Sequence, residues 1–117
     1  MYLIKSLIFI LLICVLSRFT ESVLPNGWAC GTDNLNEQIA ETIIKNDCPA
    51  NRDAINACCV AHDACYMAKF GREKCDNVFC NCITAASASN EKCRLIHGPS
   101  FCNLVRTFGE LAYTMGK

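Results

Sequence analysis

Ten cysteines fall between Cys30 and Cys102, and nothing else in the chain limits its fold as strongly. A dense, even set in a short exported chain implies a disulfide framework. Five bridges at roughly 2–4 kcal/mol each would supplement a hydrophobic core that is thin at this size. Zinc is the competing use of so many thiols. Cys58-Cys59 and Cys80-Asn81-Cys82 lack the usual zinc-ligand spacing, and the leader described next argues against a zinc cluster.

The eleventh cysteine, Cys14, sits in an amino-terminal apolar run from Leu7 to Leu16, preceded by Lys5 and followed by the small residues Thr20 and Ser22. This pattern predicts a secretory signal peptide over residues 1–22, cleaved after Ser22. The run is shorter than the roughly 20 residues a membrane span needs. Residues 23–117 are then one small domain, secreted and extracellular. The formal net charge is zero, and loss of the leader leaves one net negative charge. No basic patch suggests nucleic acid or strong attraction to an anionic membrane.

Past the turn-rich Val23–Cys30 segment, helical spacing of Leu35, Ile39, Ile43 and Ile44 predicts a first helix over 35–44, with Asn34 and Glu37 as a capping box. Cys48-Pro49 breaks it. A second helix is expected over 52–70, with Asn51 as cap and Gly71 just beyond its end. A turn follows at 72–75, then a third helix from Asn77 to about Asn90 with Asp76 as its cap. A short final helix is expected over 101–113. Strand signals are nearly absent. The fold class is therefore all-α, small and disulfide-rich, with two antiparallel disulfide-linked helices. Cys58 and Cys65, seven apart, are separated by about 10.5 Å along a helix. Matching them to an antiparallel partner predicts Cys65–Cys82, Cys75–Cys80 and Cys58–Cys93, the last requiring a bend near Ser89.

The run Cys58-Cys59-Val60-Ala61-His62-Asp63-Ala64-Cys65-Tyr66 gathers three cysteines, a histidine and an aspartate on one helix. Cys58, His62 and Cys65 share a face. A rigid imidazole next to a carboxylate suits general-base chemistry beside a cation. The run resembles the secreted phospholipase A2 signature, Cys-Cys-x-x-His-Asp-x-Cys, and Cys80-Asn81-Cys82 resembles the second signature of that family. Trp28-Ala29-Cys30-Gly31 resembles its calcium loop. The resemblance implies a Ca²⁺-dependent hydrolase of the sn-2 ester of glycerophospholipids, acting at a phospholipid interface or on free phospholipid. His62 would be the base, and Asp63 would bind Ca²⁺ with backbone carbonyls of Ala29, Gly31 and Asp33. Tyr66 would support the pair. No protein partner is implied.

Three positions depart from the family. Ile83 follows Cys82 where an aspartate usually orients the histidine. Asp33 stands where the loop usually has glycine. The long interval before Cys59 leaves Cys30 and Cys48 both open as its partner. With no acid at position 83, His62 has no evident carboxylate behind it, and low turnover is expected. The second reading is a catalytically silent relative that binds lipid or protein. His97 is expected to be a solvated loop residue, and Asp76 and Glu73 solvated turn charges. Trp28 is either an interfacial anchor or an aromatic packed over the second helix.

Overall fold

The structure is a computed structural model that describes residues 3–12 and 27–116. The expected cleavage point after Ser22 lies outside the described residues. Helix α1 covers residues 3–12, with all its side chains exposed. No helix among the described residues is long and apolar enough to cross a membrane.

The domain that follows is helical, as its periodicities require. Helix α2 spans Asn34–Asp47, and its cap is Asp33, not Asn34: the Asp33 carboxylate accepts from Asn36 N at 2.9 Å. A 3₁₀ turn, Pro49–Asn51, leads into α3, Arg52–Met67. Asn51 stands at the N-cap position of α3, as expected, but its side chain makes no capping hydrogen bond. It is buried, and its amide instead donates to Ala86 O at 2.9 Å and Ser89 Oγ at 2.8 Å, holding the far end of the next helix. The turn after α3 is made by Lys69 at φ 57° rather than by a glycine at the helix end.

Helix α4 spans Arg72–Ser87, starting five residues earlier than its sequence suggests. That shift corrects much of the sequence reading. Residues expected in a turn are helical, so Cys75 is already on the face that meets α3, and Asp76 lies inside the helix. A π-helical turn, Cys93–His97, then joins α5, Gly98–Met115.

The disulfides staple each of these elements to another. Cys58–Cys82 and Cys65–Cys75 tie α3 to α4, Cys80–Cys102 ties α4 to α5, Cys48–Cys93 ties the end of α2 to the π-turn, and Cys30–Cys59 ties the leading loop to α3. The pairings expected from spacing, Cys65–Cys82, Cys75–Cys80 and Cys58–Cys93, are not formed. The physical principle was sound, since Cys58 and Cys65 do meet antiparallel partners at equal separation. With α4 beginning at Arg72, those partners are Cys82 and Cys75. The partner of Cys59, open in the sequence, is Cys30.

Among the described residues, seven of the twelve buried apolar side chains are cysteines, so sulfur fills much of the core. Ile44, Ile55, Phe79 and Ile83 complete it, one or two from each of α2, α3 and α4. Fixing the pair α3–α4 at both ends places the buried middle of one helix rigidly against the other. His62 lies in that middle.

Candidate functional site

His62 projects from α3 toward α4, where its Nε2 stands 2.7 Å from Oδ1 of Asp76. Both are buried, at 8% and 3% exposure. The expectation that Asp76 is a solvated cap is therefore corrected: it is the carboxylate partner that position 83 lacks. Ile83 itself is 1% exposed and belongs to the core. Two turns separate the two positions on α4, so the acid reaches the ring from nearer the helix start.

An ionised carboxylate has only acceptors to offer. Nε2 must then carry the ring proton and donate it to Asp76. That leaves Nδ1, on the other edge of the imidazole, with a lone pair. A histidine whose distal nitrogen is held by a carboxylate is oriented, kept in one tautomer, and stabilised when it gains a proton.

Tyr66, one turn after His62, donates its hydroxyl to the same Oδ1 of Asp76 at 2.5 Å. Burial, followed by this hydrogen bond to a carboxylate, pushes the phenol up to about 12, so it stays a donor. Arg72 closes the other side, with Nε 3.7 Å from Asp76 Oδ2. A buried carboxylate is tolerated only when paired and hydrogen-bonded, and Asp76 has both. The ring of His62 lies against Tyr66 and Phe79, with centroids 4.1 and 4.7 Å away. Tyr113 of α5 meets Tyr66 edge-on at 5.1 Å.

Asp63 is half-buried on α3, four residues after Cys59 and so on the same face of the helix. The Cys30–Cys59 bridge brings the loop of Ala29 and Gly31 to that face. The loop is well fixed. Ala29 N donates to Asn56 Oδ1 at 2.7 Å, Asn56 Nδ2 donates to Gly27 O at 2.9 Å, and the Trp28 indole donates to Cys30 O at 2.8 Å. Trp28 is half-buried with the Arg52 guanidinium 5.5 Å from its ring centre, which matches the packed reading of this residue. Gly31 has φ 131°, and a β-carbon there would come within 2.7 Å of Glu37 N, so only glycine fits. The Asp33 carboxylate caps α2, and its carbonyl accepts from Glu37 N at 2.9 Å while keeping a second lone pair. Asp63 and the backbone of Ala29 and Gly31 carry oxygen atoms, the donor type that a hard cation takes. Among the described residues, no group of three or more histidine, cysteine, aspartate or glutamate side chains could hold a metal ion.

His97 departs from expectation as well. Its Nε2 lies 2.6 Å from Asp47 Oδ2, and the side chain is 17% exposed, so it ties the π-turn to α2 instead of standing in solvent. The hydrogen bond from His97 holds the Asp47 carboxyl below its usual range. Glu73 is exposed, as expected. Asp76, Arg72, Phe79 and Tyr113 are the site residues that sequence reasoning missed.

The chain is 48% identical over 86 residues to the phospholipase A2-like protein Y52B11A.8 of Caenorhabditis elegans, an alignment taking in 74% of this chain. It spans about half the length of that relative, 49%. The similarity supports a phospholipase A2-like family for the chain. No protein-family model matches the chain, and no solved structure does.

Proposed function

We propose that this is a secreted, Ca²⁺-dependent phospholipase A2 that hydrolyses the sn-2 ester of glycerophospholipids, with His62 as general base. The single observation carrying this reading is the buried hydrogen bond between His62 Nε2 and Asp76, 2.7 Å long. A solely structural histidine has no need of a carboxylate, a tyrosine and an arginine converging behind one ring nitrogen. In this reading Asp76, not the residue at position 83, is the acid behind the ring.

In this reading Nδ1 of neutral His62 accepts a proton from the water that attacks the ester carbonyl. The imidazolium so formed stays paired with Asp76 through Nε2–H, and Tyr66 keeps the carboxylate aligned. His62 then returns the proton to the leaving alkoxide oxygen, giving a lysophospholipid and a free fatty acid. Asp63 with the carbonyls of Ala29, Gly31 and Asp33 would hold Ca²⁺, which would supply positive charge for the oxyanion. Buried sulfur in five bridges fits an oxidising, extracellular setting.

The test is regiospecific release. With phospholipid vesicles labelled separately at sn-1 and sn-2, label should leave only from sn-2, and chelation of Ca²⁺ should stop it. Release from both positions, or release indifferent to chelation, would contradict the reading.

A further inference from the structure

Gly109 lies inside α5, is buried, and does not have positive φ, so its backbone makes no demand for glycine. Glycine inside a helix is less favourable than alanine. The reason for bearing that cost lies across the interface. A β-carbon at position 109 would overlap the Tyr66 hydroxyl and stand 3.4 Å from both Tyr66 Cζ and Arg72 Nε. The hydroxyl it would displace is the one that donates to Asp76. Arg72 fastens the same seam, donating from Nη2 to Arg106 O at 2.8 Å and Val105 O at 3.3 Å on α5 while its Nε faces Asp76.

We propose that Gly109 is a positioning residue: by presenting no side chain, it lets Tyr66 and Arg72 hold Asp76 in line with His62 Nε2. The inference rests on the reading of His62 as a base. It makes α5, which contributes no group to the chemistry, the wall against which the His62–Asp76 pair is set. A methyl group at 109 pushes the Tyr66 hydroxyl off Asp76, and the freed carboxylate rotates away from the ring.

The experiment is a double-mutant comparison of the oxidised chain: wild type, Gly109→Ala, Tyr66→Phe, and both together. Two readouts are taken. One is kcat and KM for fatty-acid release from phospholipid vesicles. The other is the proton resonance of His62 Nε2–H, visible by nuclear magnetic resonance while it is hydrogen-bonded to Asp76. Gly109→Ala should lower kcat by about 10²-fold, the cost of a misplacement near 1 Å, with little change in KM. It should also shift or abolish the Nε2–H resonance. In the Tyr66→Phe background the same substitution should change neither, because the colliding oxygen is gone and the remaining 3.4 Å approach to Cζ is ordinary contact. If Gly109→Ala does not fold, a double variant that folds and matches Tyr66→Phe in kcat and resonance supports the inference. A double variant clearly more impaired than Tyr66→Phe alone overturns it, as does a Gly109→Ala protein with wild-type kcat and resonance. If the wild type releases no fatty acid, the catalytic reading falls separately, and the resonance comparison still decides the role of Gly109.

Discussion

Replacing Asp76 by asparagine keeps the shape of the side chain and removes its charge. The magnitude follows from what that charge does when His62 takes a proton. Imidazolium and carboxylate, joined by a 2.7 Å hydrogen bond, have charge centres close together in a buried site. At about 4 Å and an effective dielectric near 20, their attraction is about 4 kcal/mol. Lost from the transition state alone, that is about 10³ in rate. Stability should change less. The hydrogen bonds from Nε2–H and the Tyr66 hydroxyl weaken from charged to neutral, about 1 kcal/mol each. Relief of burying an ion offsets part of this. Initial rates of fatty-acid release, with circular dichroism and thermal melting as controls, measure both. A folded Asp76→Asn protein within about tenfold of wild type would refute the argument, since a loss that small is about 1.4 kcal/mol and leaves no place for the ionic contribution.

Ile83→Asp, which would restore the residue the family resemblance leads one to expect, should destabilise the protein and not raise activity. The position is 1% exposed in an apolar core, and an unpaired carboxylate there costs several kcal/mol; a folded, more active variant in melting and rate assays would show that position 83 opens onto His62. Peptide mapping under non-reducing conditions should find Cys65 joined to Cys75 and Cys58 to Cys82, and a Cys65–Cys82 peptide would contradict the helix register. Arg52 donates to Glu41 and holds its carboxyl below the ordinary value of 4.5, so this pair contributes stability above that pH and loses it as pH falls through the lower folded value. Melting temperature should therefore drop on acidification from pH 4.5 downward, and less steeply in Arg52→Gln; an unchanged slope would remove the pair from the acid response.

The all-helical class, the disulfide framework and the His62–Asp63 run were legible because they rest on periodicity, composition and adjacent residues. Asp76 was not, and the reason is local. Aspartate is a favoured N-cap, and after Gly71 and the charged residues Arg72, Glu73 and Lys74 it reads as the start of a helix. Burial with partners overrode that preference. Cys75, Asp76, Phe79, Cys80, Ile83 and Ser87 form a continuous buried stripe at helical spacing, and it begins before the expected helix does. Taken as a helix from Arg72, the segment offers Cys75 and Cys82 at the same seven-residue separation as Cys65 and Cys58. Those two bridges carry His62 to the level of position 78, with Asp76 and Phe79 either side on the buried face. The second carboxylate was thus encoded, but only through correct disulfide pairing. Gly109 carried no such signal, because its role depends on a tyrosine in another helix 43 residues away.

The most direct test of His62 as the base is fatty-acid release from phospholipid vesicles at saturating Ca²⁺ by wild type and His62→Gln, both checked for native disulfides and helical content. Glutamine fills similar space and can still hydrogen-bond to Asp76, but it has no nitrogen able to take a proton from water. Wild type should release fatty acid and His62→Gln should be inactive with its fold intact. A folded His62→Gln protein as active as wild type, or a wild type with no activity under these conditions, would contradict it.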